Sequence, residues 1–230
     1  MSWPRTARPG SANPASGPGD GSRVTAAGRR PRWPGADLPG RRLFIAVPLP
    51  FEATSEIATL VGRVRAEGVP GGGRDVRWVR LDGLHLTLRF LGPTLDDRLV
   101  PATEAVRAAA GAAAPFDVSI GGAGAFPSAH RPRALWLGLR TGEPELADLA
   151  LTVDRALGAA GWDLEAKPYV AHLTLARADG ITAGSAIGAR LVTAAAAMDL
   201  RFRVEQIGLF ESLTGGGPAR YEPLEMVDLA

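Results

Sequence analysis

The chain has 230 residues, 46% hydrophobic and 22% charged, with a formal net charge of +2, which suits one large soluble domain or two small lobes sharing an interface. It contains no cysteine, so disulfides, thiolate nucleophiles and cysteine-based zinc or iron–sulfur sites are excluded. No apolar run approaches the ~20 residues needed to cross a bilayer, so no membrane partner is expected; cysteine usage leaves the compartment open, and the expected location is cytoplasmic.

The first forty residues hold seven Pro and seven Gly, with Leu38 the only Leu, Ile or Phe. Such a segment buries too little apolar surface to offset its ordering entropy. Residues 1–41 are read as a disordered basic tail and residues 42–230 as the folded domain. Eight Arg and two Asp fall in residues 1–42, which leaves 18 basic against 22 acidic residues for 43–230. The folded part is mildly acidic, and an anion site there must come from local Arg placement. Arg41 and Arg42 before LFIAVPLPF imitate an export signal, but the apolar run stops at Glu52 with no small-residue cleavage site. The segment reads as a first core strand.

Periodicity then predicts a strand over 42–49 and a helix over 51–68. An extended segment over 77–92 follows, broken at Asp82-Gly83. A helix from Thr94 and Asp96 to about residue 113 leads into a strand over 116–122, and GGAGAF (121–126) lacks the Lys and helix start of a phosphate loop and reads as a turn. The order repeats with a strand over 133–140, a helix over 144–161, a strand over 169–177, an Ala-rich helix over about 183–197 and a strand over 202–210. A final strand is predicted over 221–229. The two halves match element for element. The expected fold is α+β, a two-lobed pseudo-twofold duplication in which two antiparallel-type sheets face a central cleft with helices outside. Its first lobe covers about 42–125, its second about 130–215, and its last strand about 219–229.

His85 begins HLTLRFLG and His172 begins HLTLARAD, so two of the three histidines open the same tetrapeptide. Along a strand, His85 and Thr87 project from one face and Leu86 and Leu88 from the other, and His172, Thr174, Leu173 and Leu175 repeat the pattern. The leucines fill each lobe's core while two imidazoles and two hydroxyls converge on a groove. Packing alone does not require that arrangement. Arg89 shares strand parity with His85, Arg177 closes the second motif, and Phe126 and Tyr169 are candidate stacking surfaces for a base. His130, in PSAHRPR, is read as a surface-loop residue. Two histidines without HxH or HExxH spacing underfill a divalent site, so no metal and no cofactor are expected. A non-catalytic module binding nucleotides or RNA ends in the same groove is the alternative.

HLTLRFLG and HLTLARA resemble the paired HxTx motifs of the 2H phosphoesterase superfamily. RLFIAVPLP, GAGAFPSAHRPRALWLGL and LFESLTGGGPARYEPL extend the resemblance, over about residues 42–229, to its RNA 2′,3′-cyclic phosphodiesterase branch, also known as 2′-5′ RNA ligases. The resemblance implies metal-independent hydrolysis of an RNA or nucleotide 2′,3′-cyclic phosphate end to a 2′-phosphomonoester, with no obligatory protein partner. It further implies His85 as proton donor to the leaving oxygen, His172 as proton acceptor from water, and Thr87, Thr174 and Arg177 on the phosphate, with Arg89 a further candidate.

Overall fold

Leu43, Ile45 and Val47 alternate with Phe44 and Ala46 along β1 (Arg41–Pro48), and all five are buried. A short run apolar on both faces belongs inside a sheet, and β1 has a hydrogen-bonded neighbour on each side. The computed structural model describes residues 39–68, 75–215 and 217–230. The expected tail lies outside the described residues apart from its last three. Of these, Arg41 already belongs to β1, where it pairs with Glu211 at 3.0 Å and Asp96 at 3.3 Å.

After β1 come α1 (Phe51–Ala66), β2 (Val76–Trp78), a 3-10 turn (Leu81–Gly83), β3 (His85–Thr94), α2 (Leu99–Ala110) and β4 (Phe116–Phe126). The second half runs β5 (Ala134–Thr141), α3 (Glu143–Ala159), β6 (Leu173–Ala178), α4 (Ile181–Ala195), β7 (Leu200–Val204), β8 (Gln206–Leu213) and β9 (Arg220–Asp228). In α1, Ile57, Leu60, Val61 and Val64 recur at helical spacing and are buried. Among the described residues no helix is long and apolar enough to cross a membrane.

The strands form two antiparallel sheets, β3-β1-β8-β9 and β2-β6-β5-β4-β7. The order β3-β1-β8-β9 repeats as β6-β5-β4-β7, so the fold is the α+β duplication expected, with β2 added at one edge. The lobes, however, are not the two halves of the chain. β4 leaves the first half to join the second sheet, and β8 and β9 return to the first. The helices cross as well: α1 packs on α4 and β7, whereas α3 packs on α2 and β3.

The stretch expected as one strand over 202–210 marks such a crossing. Its apolar side chains sit at even positions in β7 (Leu200, Phe202, Val204) and at odd positions in β8 (Ile207, Leu209). A single straight strand would turn one of these sets to water. The chain instead breaks at Glu205 and changes sheet.

GGAGAF is not a turn but the second half of β4. A bulge between Ile120 and Ala123 contains Gly122 at φ 70°, a left-handed conformation that glycine adopts without strain. Beyond it the Trp136 ring lies across the strand. A β-carbon at Gly124 would meet that ring at 2.4 Å.

Candidate active site

Leu86 and Leu88 pack into the core with Leu43, Ile45 and Val47, and Leu173 and Leu175 join the same core from β6. His85 and Thr87 therefore emerge from the opposite face of β3, and Thr174 from that of β6, with His172 immediately before it. His85 is paired with Pro48, Thr87 with Ala46, and Thr174 with Trp136. The strand alternation thus sets an imidazole and a hydroxyl on the free face of each sheet.

Each imidazole is oriented in the same way. His85 donates its Nδ1–H to the Gly83 carbonyl and His172 its Nδ1–H to the Val170 carbonyl, both at 2.8 Å. A carbonyl only accepts, so in both neutral rings the proton sits on Nδ1 and Nε2 is left to take or give a proton. Burial pushes His85 below the ordinary histidine range; the Gly83 carbonyl opposes this and the charge of His172 adds to it. Burial likewise lowers His172, with the Val170 carbonyl opposing and Arg177 adding. The repulsion between the imidazoles means that they lie within electrostatic reach of one another.

Aromatic rings frame both. Around His85 stand Phe44 at 4.7 Å and Tyr221, edge-on at 4.9 Å between centroids. Around His172 stand Phe126, edge-on at 4.9 Å, and Trp136 at 6.4 Å. These rings restrict the imidazoles and exclude water from one side of each.

Just after each HLTL the alternation breaks. Ala46 pairs with Thr87 but Ile45 with Arg89, and Trp136 pairs with Thr174 but Leu135 with Ala176. In both strands two residues oppose one, which is a β-bulge, and the bulge reverses the faces beyond it. Arg89, expected beside His85, is thereby turned to the helix side. There its side chain is 11% exposed and pairs with Asp154 of α3 at 3.1 Å and with Glu165 at 2.5 Å. It also donates to the Asp163 carbonyl, and its charge is spent on these groups. The next residue takes the cleft face in each strand: Phe90 in β3, its ring 6.0 Å from that of Phe44, and Arg177 in β6, between the buried Ala176 and Ala178.

Arg177 does reach the cleft. Burial lowers its guanidinium from the usual range and the hydroxyl of Tyr221, from the other sheet, opposes this. Tyr169, the other expected stacking ring, is half-buried. It packs on the core, its hydroxyl is buried with no hydrogen-bond partner among the described residues, and burial together with nearby Glu143 raises its phenol. His130 is exposed on the loop between β4 and β5.

Tyr221 is the residue that the pattern in HLTL could not reveal, since it arrives from β9 at the far end of the chain. The signal available was slight: it is one of two tyrosines, at the start of an alternating strand. Among the described residues no three His, Cys, Asp or Glu side chains cluster as a metal centre requires.

Two sheets each offer one Nδ1-tethered imidazole and one threonine hydroxyl to a common cleft, an arrangement suited to acid–base chemistry on a phosphate. The chain belongs to the 2′-5′ RNA ligase superfamily, whose family model matches residues 53–216. Among curated relatives, an RNA 2′,3′-cyclic phosphodiesterase of Geobacillus stearothermophilus is 35% identical over 58% of this chain, a match spanning 41% of that protein. Another of that name, from Archaeoglobus fulgidus, is 34% identical over 59% of this chain and 72% of its own length. Of solved structures, TT0787 of Thermus thermophilus is similar with a TM-score of 0.64 and 28% identity, covering 82% of this chain and 97% of that one. LigT of E. coli complexed with 3′-AMP is similar with a TM-score of 0.59 and 27% identity, covering 82% and 98%.

Proposed function

We propose that this chain hydrolyses RNA 2′,3′-cyclic phosphate ends to 2′-phosphomonoesters by acid–base catalysis between His85 and His172, with no metal, cofactor or protein partner in the reaction. His172 Nε2 accepts a proton from water as its oxygen bonds to phosphorus. The P–O3′ bond breaks on the far side, and His85 Nε2–H gives its proton to the departing 3′ oxygen. The water proton ends on His172 and the two histidines exchange roles of charge, so solvent must reset them before the next turnover. Thr87 and Thr174 donate to the non-bridging oxygens as charge builds there, and Arg177 offsets that charge. Phe126, its ring 4.9 Å from that of His172, stacks on the base of the terminal nucleotide in this reading. A cytoplasmic setting accords with this reading.

The observation that carries the proposal is the matched tethering of the imidazoles, 2.8 Å from Nδ1 to carbonyl in each, which leaves two Nε2 atoms for one phosphate. The names of the relatives support the substrate. The test is turnover of a defined RNA ending in a 2′,3′-cyclic phosphate. Full activity is expected in EDTA, and His85→Ala and His172→Ala are each expected to lose about 10²- to 10⁴-fold. The double variant should lose little more than either single one, because the pair acts as a unit. RNA that binds without turnover would mark a binding module instead, and activity abolished by EDTA and restored by Zn²⁺ or Mn²⁺ would overturn the two-imidazole mechanism.

A further inference from the structure

A cavity of about 150 Å³ opens between the 3-10 turn and the start of β9, lined by Arg80, Asp82, Gly83, Ala219, Arg220 and Tyr221. Two of these residues also belong to the site: the Gly83 carbonyl accepts the His85 Nδ1–H, and the Tyr221 ring stands edge-on to His85. The cavity therefore adjoins the imidazole, sharing one glycine and one ring with it. Its lining sets two guanidiniums against one carboxylate. Arg80 donates its Nε–H and an Nη2–H to the two oxygens of Asp82, at 3.1 and 2.5 Å, which orients the fork and leaves its other N–H groups for a further acceptor. Arg220 enters no ion pair among the described residues. The Arg80 hydrogen bond is the chief reason that Asp82 lies below the usual carboxylate range, with desolvation opposing it and the charges of Arg80 and Arg220 adding. One oriented guanidinium and a second, uncommitted one suit an anion with the geometry of phosphate.

We propose that this cavity is a second anion subsite, which holds the 5′ phosphate of the terminal nucleotide while the cyclic phosphate lies between the imidazoles. The inference rests on the catalytic reading above. A 2′,3′-cyclic phosphate and a 5′ phosphate are carried by one ribose, so a ligand that places the first at His85 brings the second to the residues that wall His85. In RNA that 5′ phosphate is the diester joining the terminal nucleotide to the rest of the chain. The subsite therefore makes the enzyme favour an RNA end over a nucleoside cyclic phosphate that lacks a 5′ phosphate. Arg80 lies five residues before His85, and the residue in the same position before His172 is the exposed Lys167, which supplies a control of equal charge outside the cavity.

The experiment measures kcat/KM for adenosine 2′,3′-cyclic phosphate with and without a 5′ phosphate, for the dinucleotide dApA ending in a 2′,3′-cyclic phosphate, and for the same dinucleotide with an uncharged methylphosphonate linkage. The wild type is expected to favour the two substrates with a charged 5′ group by about five- to tenfold, the scale of a part-exposed ion pair with charge-assisted hydrogen bonds. Arg220→Gln is expected to remove most of that preference through the charged substrates alone, and Lys167→Gln to leave it in place. Asp82→Asn is expected to enlarge it, because it removes the carboxylate that competes with phosphate for Arg80. Equal rates for the phosphodiester and methylphosphonate dinucleotides in the wild type, a preference confined to the 5′-monophosphate, an equal loss on every substrate in Arg220→Gln, or the same selective loss in Lys167→Gln would each overturn the subsite. Calorimetric binding of the 2′-phosphate products reads the subsite without turnover. A wild type that turns over no substrate but binds the product with a 5′ phosphate more tightly, with the difference lost in Arg220→Gln, would keep the subsite and overturn the chemistry.

Discussion

Tyr221 stands edge-on to His85, with ring centroids 4.9 Å apart and planes at 86°, because Gly83 has no side chain. A β-carbon on Gly83 would lie 2.9 Å from the Tyr221 ring, and the carbonyl of the same residue accepts the His85 Nδ1–H. One glycine therefore sets both the tautomer of the imidazole and the approach of the ring that covers it. Its backbone is not left-handed, so alanine is tolerated by the turn and acts through steric displacement alone. Gly83→Ala is expected to cost about 1–3 kcal/mol of stability through overpacking and, by displacing the Tyr221 ring from His85, to lower kcat while the fold survives. Tyr221→Ala is expected to rehydrate His85 and move its pKa up toward the ordinary 6.5, readable by NMR titration. An unchanged titration would mean that Tyr221 does not bury this imidazole.

The pH dependence follows from the direction of both shifts. Each histidine lies below its ordinary value through burial, so in the free enzyme the proton-donating imidazolium is lost, as pH rises, before the ordinary 6.5 is reached. The alkaline limb of kcat/KM is expected to begin below that pH. A bound phosphate anion favours imidazolium, so the alkaline limb of kcat should lie at higher pH than that of kcat/KM. Stability has the matching sign. Below pH 6.5 the unfolded chain binds more protons than the folded one, so the contribution of these groups is complete above that pH and is lost as pH falls through the folded values. Coincident limbs for kcat and kcat/KM would argue against an acid that meets the phosphate.

Arg89 is expected to matter for folding and not for chemistry. Its partner Asp154 is 14% exposed and Arg89 itself 11%, so Arg89→Met leaves a carboxylate largely buried without its cation. Breaking a buried pair from one side costs about 3–5 kcal/mol, and the melting temperature should fall accordingly. Adding Asp154→Asn is expected to recover part of the loss. At a temperature where Arg89→Met is folded, its kcat and KM should match the wild type, and a fall in kcat alone would return Arg89 to the phosphate.

The placement of these residues separates what was legible in the sequence from what was not. HLTL could be read because its information is local: Leu86 and Leu88 must go inward, so His85 and Thr87 must go outward. Arg89 was misread by the same rule. A bulge is a property of two strands together, and nothing in RFLG states that Ile45 will face both Leu88 and Arg89. The lobe boundaries failed for a related reason, since β4 pairs with β5 and β7 of the second half and β8 pairs back to β1 at the start of the domain, and neither choice of partner is written in the strand itself. Tyr221 belongs with these, because its contact with His85 depends on β9 joining a sheet begun by β1. The parity change at Glu205 was local, and it could have announced the crossing from one sheet to the other.

The product isomer tests which histidine is the donor. Both ribose oxygens of a cyclic 2′,3′-phosphate are bonded to phosphorus, so the outcome depends on which one the enzyme aligns opposite the attacking water. The cleft is not symmetric in this respect: Arg177 lies with His172 on one sheet and Phe90 with His85 on the other, so the substrate has one preferred direction. With His85 as donor beside the 3′ oxygen, that bond breaks and a 2′-phosphomonoester remains. ³¹P NMR of the product, or its resistance to a 3′-specific phosphatase, reads the result directly. The expected product is the 2′ isomer in wild type, and a mainly 3′-phosphate product would mean that the nucleotide lies reversed, with His172 as the donor.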